Sequence, residues 1–541
     1  MDQNKTILSK YNNKRCLICG LLTVVASCVT SASASDVGYS AGQSKRPTLL
    51  VNIVVEGLDG QYLGLLRDSF DHNGFGRLMS SAAYADDIDY GSVSNSVAAA
   101  AMLQTGTGAS VHGIPAELVY DATTGRLADI FTDESVMGNF TQLPVSPKAI
   151  NVSTLSDEIR IDGAGVAKVA AFAPNHGLAL ILAGHAGNTA AWIDAKSGKW
   201  ATTTWYQETP KEISSRNYNN PLSARLDTIR WVPTSKTLQL PWLPDSKSKY
   251  PFTYTYPAKD VERGEAFKYS PLVNTEITDV AIEYLTSLVD TQGKGVNVLN
   301  VGYQLSPYPY ARTADARAEI ADAYIRLDAD LSRLFKAADA ASAGGDKVIM
   351  LSGIPATAPY RRDDEQWRIP WGKFTPLKAM GLLNMYLMAV HGNGEWVKGY
   401  NDCQFYLNRQ LIKDKNLDIA DLRNEAASFL AQMSGVVKAE TLEEALRKDI
   451  AGNINTTYAG DVLITVNPGW EIEPATGRGG KARGNGGIER AASVQMPFYI
   501  IAPELGNIKL GAAIDARAVA PSVCRLLRIR SPGGASSSPV F

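Results

Sequence analysis

Eight residues, Leu49–Glu56, read LLVNIVVE: an almost unbroken apolar run that stops at an acid and continues Gly57-Leu58-Asp59-Gly60. A run without polar alternation has no solvent face, so it is predicted to be a strand buried on both sides, in the middle of a parallel sheet. In open α/β sheets ligands collect at the carboxyl ends of such strands. Glu56 therefore stands where a metal ligand or a catalytic acid is expected.

The rest of the chain supplies partners for that strand. Lys168–Ala173, Gly177–Leu182, Gly295–Val301, Lys347–Ser352, Asp461–Val466 and Phe498–Ala502 read as further short strands. Ala186–Tyr206 reads as a hairpin around a Lys196-Ser197-Gly198 turn. Tyr62–Ser80 (interrupted at Asn73-Gly74), Ile277–Val289, Ala311–Ala340 and Ala518–Leu527 carry apolar residues at helical spacing. This alternation predicts an α/β fold: a doubly wound, mostly parallel central sheet flanked by helices, over residues 47–541. Two insertions interrupt it, at about 200–268 and 360–450. The first is rich in Pro, Tyr and Trp and irregular; the second is predominantly helical.

The beginning of the chain reads as a leader. Lys5, Lys10, Lys14 and Arg15 precede the apolar run Cys16–Ser27, and Ala32-Ser33-Ala34 offers a small-residue cleavage site. The expectation is a signal peptide over 1–34, a polar linker over 35–46 and export to the periplasm or outer membrane. Val25-Ala26-Ser27-Cys28 also resembles a lipobox, which would place a lipid anchor on Cys28. No transmembrane segment is expected after leader removal. Charge excludes one class of partner: 53 Lys+Arg against 55 Asp+Glu leave a net charge of −2, unlike the basic surface that nucleic acid requires. Cys403 and Cys524 lie in the body, and two buried thiols are expected there in preference to one disulfide.

The stretch Ser92–Ala101, SVSNSVAAAA, runs small polar residues into an alanine block, the pattern of an N-cap and first helical turn. Ser96 would lie near the positive end of that helix, where an activated hydroxyl or a bound anion is favoured. The plainer role, for Ser94 or Ser96, is to cap the helix.

The order of several strings resembles the alkaline phosphatase superfamily, in its type I phosphodiesterase/nucleotide pyrophosphatase branch, and within it the bacterial envelope alkaline phosphatases. The strings are the strand ending Val55-Glu56, Thr105-Gly106 to His112-Gly113-Ile114, Ala183-Gly184-His185 with the Trp192-Ile193-Asp194 hairpin, Asp322 to Asp328, Gly460-Asp461-Val462 and Pro468-Gly469-Trp470. The resemblance implies two zinc ions held by Asp and His, with a Thr or Ser nucleophile between them.

Carried over position by position, it implies degenerate zinc-ligand positions. The first-strand Asp is Glu56. The nucleophile string T-A-P-G-H is Ser96-Val97-Ala98-Ala99-Ala100, which keeps only a hydroxyl. The D-x-x-G-H string falls in Ser306–Ala311, the A-D-H-G string is Ser352-Gly353-Ile354-Pro355, and the last zinc His falls near Asn485-Gly486-Gly487. The phosphate-binding K-x-R is Asn175-His176-Gly177, and a phosphate-contacting Asn is Glu117. The chain holds only 5 His, and no Cys/His/Asp/Glu cluster has ligand spacing along the sequence. No cofactor is therefore expected.

The expected function is an exported, non-catalytic relative that binds, scaffolds or regulates, with an unidentified protein or an anionic ligand in the cell envelope as partner. Arg478, Lys481, Arg483 and Arg490, with Arg361-Arg362, are the candidate anion-binding residues. The alternative is a divergent phosphoric ester hydrolase, with Ser96 as nucleophile and Glu56 holding one Mg²⁺ or Ca²⁺. A third reading places an interaction surface on the aromatic-rich segment Trp200–Tyr256.

Overall fold

The computed structural model describes residues 46–206, 209–243, 250–288, 295–311, 316–342, 346–356, 372–467, 470–473, 487–488 and 494–541. Its frame is a mixed sheet of 10 strands. From one edge the order is Lys509–Asp515, Ala83–Asp89, Phe498–Ile501, Lys347–Ile354, Leu49–Glu56, Asn297–Gln304, Val169–Ala173, Thr189–Asp194, Lys199–Thr203 and Gly138–Asn139.

Leu49–Glu56 is buried along its whole length, parallel to Asn297–Gln304 on one side and Lys347–Ile354 on the other. Its register sets Glu56 level with Gln304 and Ile354. Leu50 and Val54 face a layer that includes helices Ser96–Thr105, Leu155–Asp162, His176–Ala183 and Ala516–Leu527. Val51, Ile53 and Val55 face Phe75–Ser81, Leu272–Leu288 and Arg317–Ala341. Both faces are covered, which is why the strand carries no polar alternation. Its interior polar residue is paired through its amide nitrogen: Asn52 Nδ2 donates to Asn300 Oδ1 at 2.7 Å, and Asn300 Nδ2 donates to Ser156 Oγ and the Ala170 carbonyl, each at 3.3 Å, while the buried Asn52 Oδ1 has no partner among the described residues.

The sheet is parallel through its middle and antiparallel where Phe498–Ile501 pairs with both neighbours and where the Thr189–Thr203 hairpin returns. Gly177–Leu182, expected as a strand, lies in helix His176–Ala183. A short apolar run buried on all sides has no period to separate the two states, and this one carries a single β-branched residue, Ile181. Ala83–Asp89 and Lys509–Asp515 are strands that the pattern did not predict.

The second insertion keeps its helices and extends past 450: Val462–Val466, expected to join the central sheet, instead completes a four-stranded antiparallel sheet ordered Val397–Asn401, Gln404–Leu407, Val462–Val466 and Val436–Thr441. Trp396, Phe405, Leu422 and Leu430 form its own core. The buried Asp461 carboxylate, bound by Arg409 and Arg423, ties it together. In the first insertion, Trp231, Phe252 and Tyr254 pack with Tyr308, and Trp231 Nε1 donates to the buried Asp322 on the long helix at 2.7 Å. Those rings serve as internal packing. Cys403 and Cys524 are not joined in a disulfide; Cys524 is buried, and Cys403, expected to be buried as well, is only partly so. Among the described residues, no helix is long and apolar enough to cross a membrane.

Candidate functional site

Glu56 lies at the carboxyl end of its strand, 5% exposed, as the sequence implied. The chain turns there through Gly57 at φ +77, where a Cβ would stand 2.8 Å from the Ser306 amide nitrogen; only glycine fits both demands. The neighbouring strand end is organised by Gln304, whose Oε1 accepts from the Ser306 amide at 3.1 Å and the Ser306 hydroxyl at 2.8 Å. On the other side stand Ser352, Gly353 and the fully buried Ile354. Ser352 Oγ is buried and has no hydrogen-bond partner among the described residues. These strand ends thus offer one carboxylate among hydroxyl, amide and apolar groups. That donor set does not fit a pair of zinc ions, each of which needs three or four Asp, Glu, His or Cys ligands.

Ser96 is the first residue of helix Ser96–Thr105 and is buried. The cap is Asn95, whose Oδ1 accepts from the Val97 and Ala98 amides at 3.0 and 3.3 Å. The capping role foreseen for Ser94 or Ser96 therefore belongs to the residue between them.

Three residues that sequence spacing did not connect meet close by. Leu118–Asp121 and Arg126–Asp129 form a hairpin in which Leu118 pairs with Asp129, and the Ile130 amide donates to the Glu117 carbonyl at 2.9 Å. The hairpin turns at Gly125, with the Asp121 side chain accepting from the Thr123 amide. Glu117 and Asp129 thereby lie diagonally across the same open end of the hairpin. His176, at the start of helix His176–Ala183, faces both: its Nε2 is 2.7 Å from Asp129 Oδ2 and 3.5 Å from Glu117 Oε1. Phe131 and Trp192 hold the imidazole edge-on, with ring centroids 6.1 and 6.0 Å away. Burial works against protonation of His176, but Glu117 and Asp129 outweigh it and leave the pKa above the usual 6.5.

The cluster borders the positions singled out from the sequence. A Cβ on Gly177 would stand 3.2 Å from Glu117 Oε2 and 3.4 Å from Val97 Cγ2, so Glu117 and the residue after Ser96 both pack closely against Gly177. Tyr269 links the other side: burial, then the Glu56 charge, then more weakly that of Glu117, raises its phenol pKa. Among the described residues, Glu117, Asp129 and His176 are the one group of three His, Cys, Asp or Glu whose ligand atoms lie within 4.8 Å of one another.

Three of the four other histidines have structural partners. His112 Nδ1 accepts from the Ile114 amide, His185 pairs with Asp157, and His391 pairs with Glu425. Arg361, Arg362, Arg478, Lys481, Arg483 and Arg490 lie outside the described residues.

The sequence of the type I phosphodiesterase/nucleotide pyrophosphatase family matches residues 50–488, most of the chain and every element just described around Glu56. The chain belongs to that family. Alkaline phosphatase PafA of Elizabethkingia meningoseptica is 23% identical over 525 residues, covering 92% of this chain and 94% of the relative. Alkaline phosphatase PhoV of Synechococcus elongatus is 23% identical over 532 residues, 90% of this chain and 91% of the relative. A Myroides odoratus protein named calcium-transporting ATPase is 24% identical over 526 residues, with 92% and 94% covered. The crystal structure of wild-type PafA superposes with a TM-score of 0.78 at 22% identity, covering 92% of this chain and 99% of that one. The fold is thus that of the alkaline phosphatase superfamily. Glu117 and His176 are the members of this cluster that the sequence resemblance aligned with a phosphate-contacting Asn and the K-x-R string; Asp129 was not among the aligned positions.

Proposed function

We propose that this protein is an exported, non-catalytic member of the alkaline phosphatase superfamily, acting in the cell envelope as a binding, scaffold or regulatory protein. One observation carries the reading: Glu117 and Asp129 converge on His176 beside Val97 and Gly177. A phosphate dianion entering there would meet two carboxylates and, among the described residues, no arginine fork, and close like charges disfavour one another strongly in a partly desolvated site. The donor set around Glu56 supports the same conclusion, since a nucleophile without two metals loses both its activation and its leaving-group stabilisation.

Phosphate titration by calorimetry, with chelator present, tests this. The wild type is expected to show no binding at millimolar phosphate, and Glu117→Asn/Asp129→Asn to gain it. Tight phosphate binding by the wild type would overturn the reading.

The alternative, a divergent phosphoric ester hydrolase with Ser96 as nucleophile and Glu56 on a single Mg²⁺ or Ca²⁺, draws on one feature: Ser96 opens a buried helix at its positive end. Metal-dependent turnover that vanishes in Ser96→Ala would establish it.

A further inference from the structure

We propose that Glu117, Asp129 and His176 form a binding site for one divalent transition-metal ion, with zinc the best match, at the point where their ligand atoms converge. The proposal deepens the non-catalytic reading by naming a ligand for the altered site, but it does not require that reading to hold.

The donor chemistry is that of a borderline cation: two carboxylate oxygens and one imidazole nitrogen, which zinc binds together in three-residue sites that leave a fourth position open. The spacing agrees. Two donors on a tetrahedral zinc, each about 2.1 Å from the metal, lie about 3.4 Å apart. His176 Nε2 and Glu117 Oε1 are 3.5 Å apart, and all three ligand atoms fall within 4.8 Å. Asp129 Oδ2 at 2.7 Å from Nε2 is closer, and needs to open by less than one ångström.

The way the carboxylates converge separates a metal site from a simple ion pair. An imidazolium has two N–H groups, and two carboxylates paired with it gain most by taking one each. Here the nearest approach of both is to the same nitrogen, Nε2. A single N–H serves only one acceptor well, whereas a metal ion on that nitrogen's lone pair serves both.

The ligands are also held from behind. Asp129 Oδ1 accepts from the Phe131 amide at 2.9 Å, which leaves Oδ2 directed at His176. The ring is wedged between Phe131 and Trp192. The glycine at 177 lets the helix backbone approach the cluster closely, because a Cβ there would crowd Phe131, Glu117 Oε2 and Val97 at once.

The test is calorimetric titration of Zn²⁺ into chelator-stripped, full-length protein, with thermal unfolding followed in parallel. The wild type is expected to bind one equivalent and to gain melting temperature on binding. His176→Ala and Glu117→Gln are each expected to weaken binding at least tenfold, while Glu56→Gln binds as the wild type does. Two substitutions at different ligands guard against one that fails to fold. No binding by the wild type, unchanged binding in both ligand variants, or loss confined to Glu56→Gln would each overturn the assignment. Since the readout is binding, its outcome is independent of whether the protein hydrolyses phosphate esters.

Discussion

His176 and Asp129, 47 residues apart in sequence, are joined by a 2.7 Å contact between Nε2 and Oδ2. The contact depends on a hairpin that has little core of its own. Its support comes from the second insertion: Asn401 Nδ2 donates to the Leu118 carbonyl at 3.0 Å, and Tyr120 stacks on Tyr406 with ring centroids 4.1 Å apart. The insertion thus braces the arm that carries both carboxylates.

Gly399 is the narrowest point of that brace, because a Cβ there would run into the Tyr120 ring. Gly399→Ala is expected to cost about 1–3 kcal/mol of stability by overpacking. It should also lower zinc affinity without touching a ligand. Urea unfolding and zinc titration of the same variant check both.

Asn52 and Asn300 form a polar pair inside the sheet. Asn300→Ala leaves Asn52 buried without its partner and is expected to cost about 1–3 kcal/mol. Replacing both by Val removes the demand together with the bond, so the double variant should lose less than the sum of the single ones. A double-mutant cycle by urea unfolding measures the difference.

Asp322 accepts from Trp231 Nε1, the Thr234 amide, the Thr237 hydroxyl and Arg326, and it is fully buried. Asp322→Ala strands these donors together, and a loss of about 3–5 kcal/mol is expected. Loss of Trp fluorescence anisotropy from the first insertion before global unfolding would report its release.

The pair His185–Asp157 gives stability a defined pH window. Burial opposes the charged form of each, but their hydrogen bond and mutual attraction prevail, so the His185 pKa lies above 6.5 and the Asp157 pKa below 3.8. The histidine contribution is complete below 6.5 and fades as pH rises through the raised value. The aspartate contribution is complete above 3.8 and fades as pH falls through the lowered one. The stability difference between wild type and His185→Gln is therefore expected to be largest between those limits and to shrink in alkaline solution. Urea midpoints across that range test the sign.

Leu49–Glu56 was legible because burial on both faces leaves an unmistakable apolar run, and the position of Glu56 followed from it. Ala83–Asp89 was not legible: three of its seven residues are acids, which read as a turn, yet Asp87 accepts from the Met496 amide at 2.7 Å and Asp86 pairs with Lys509. The Glu117–Asp129–His176 cluster escaped notice because no ligand spacing links its members along the chain. One local signal was available. Asp121-Ala122-Thr123-Thr124-Gly125 is a turn motif between Leu118-Val119-Tyr120 and Arg126-Leu127, and reading it as a hairpin pairs Leu118 with Asp129 and brings Glu117 to the same end.

The central claim is tested most directly by assaying turnover of a phosphate monoester and a phosphate diester, with and without added Zn²⁺ and Mg²⁺, in the wild type and Ser96→Ala side by side. Equal, background-level rates in both proteins under every metal condition are the expected result. Metal-dependent hydrolysis by the wild type that disappears in Ser96→Ala would contradict the claim and place this chain among the active members of its family.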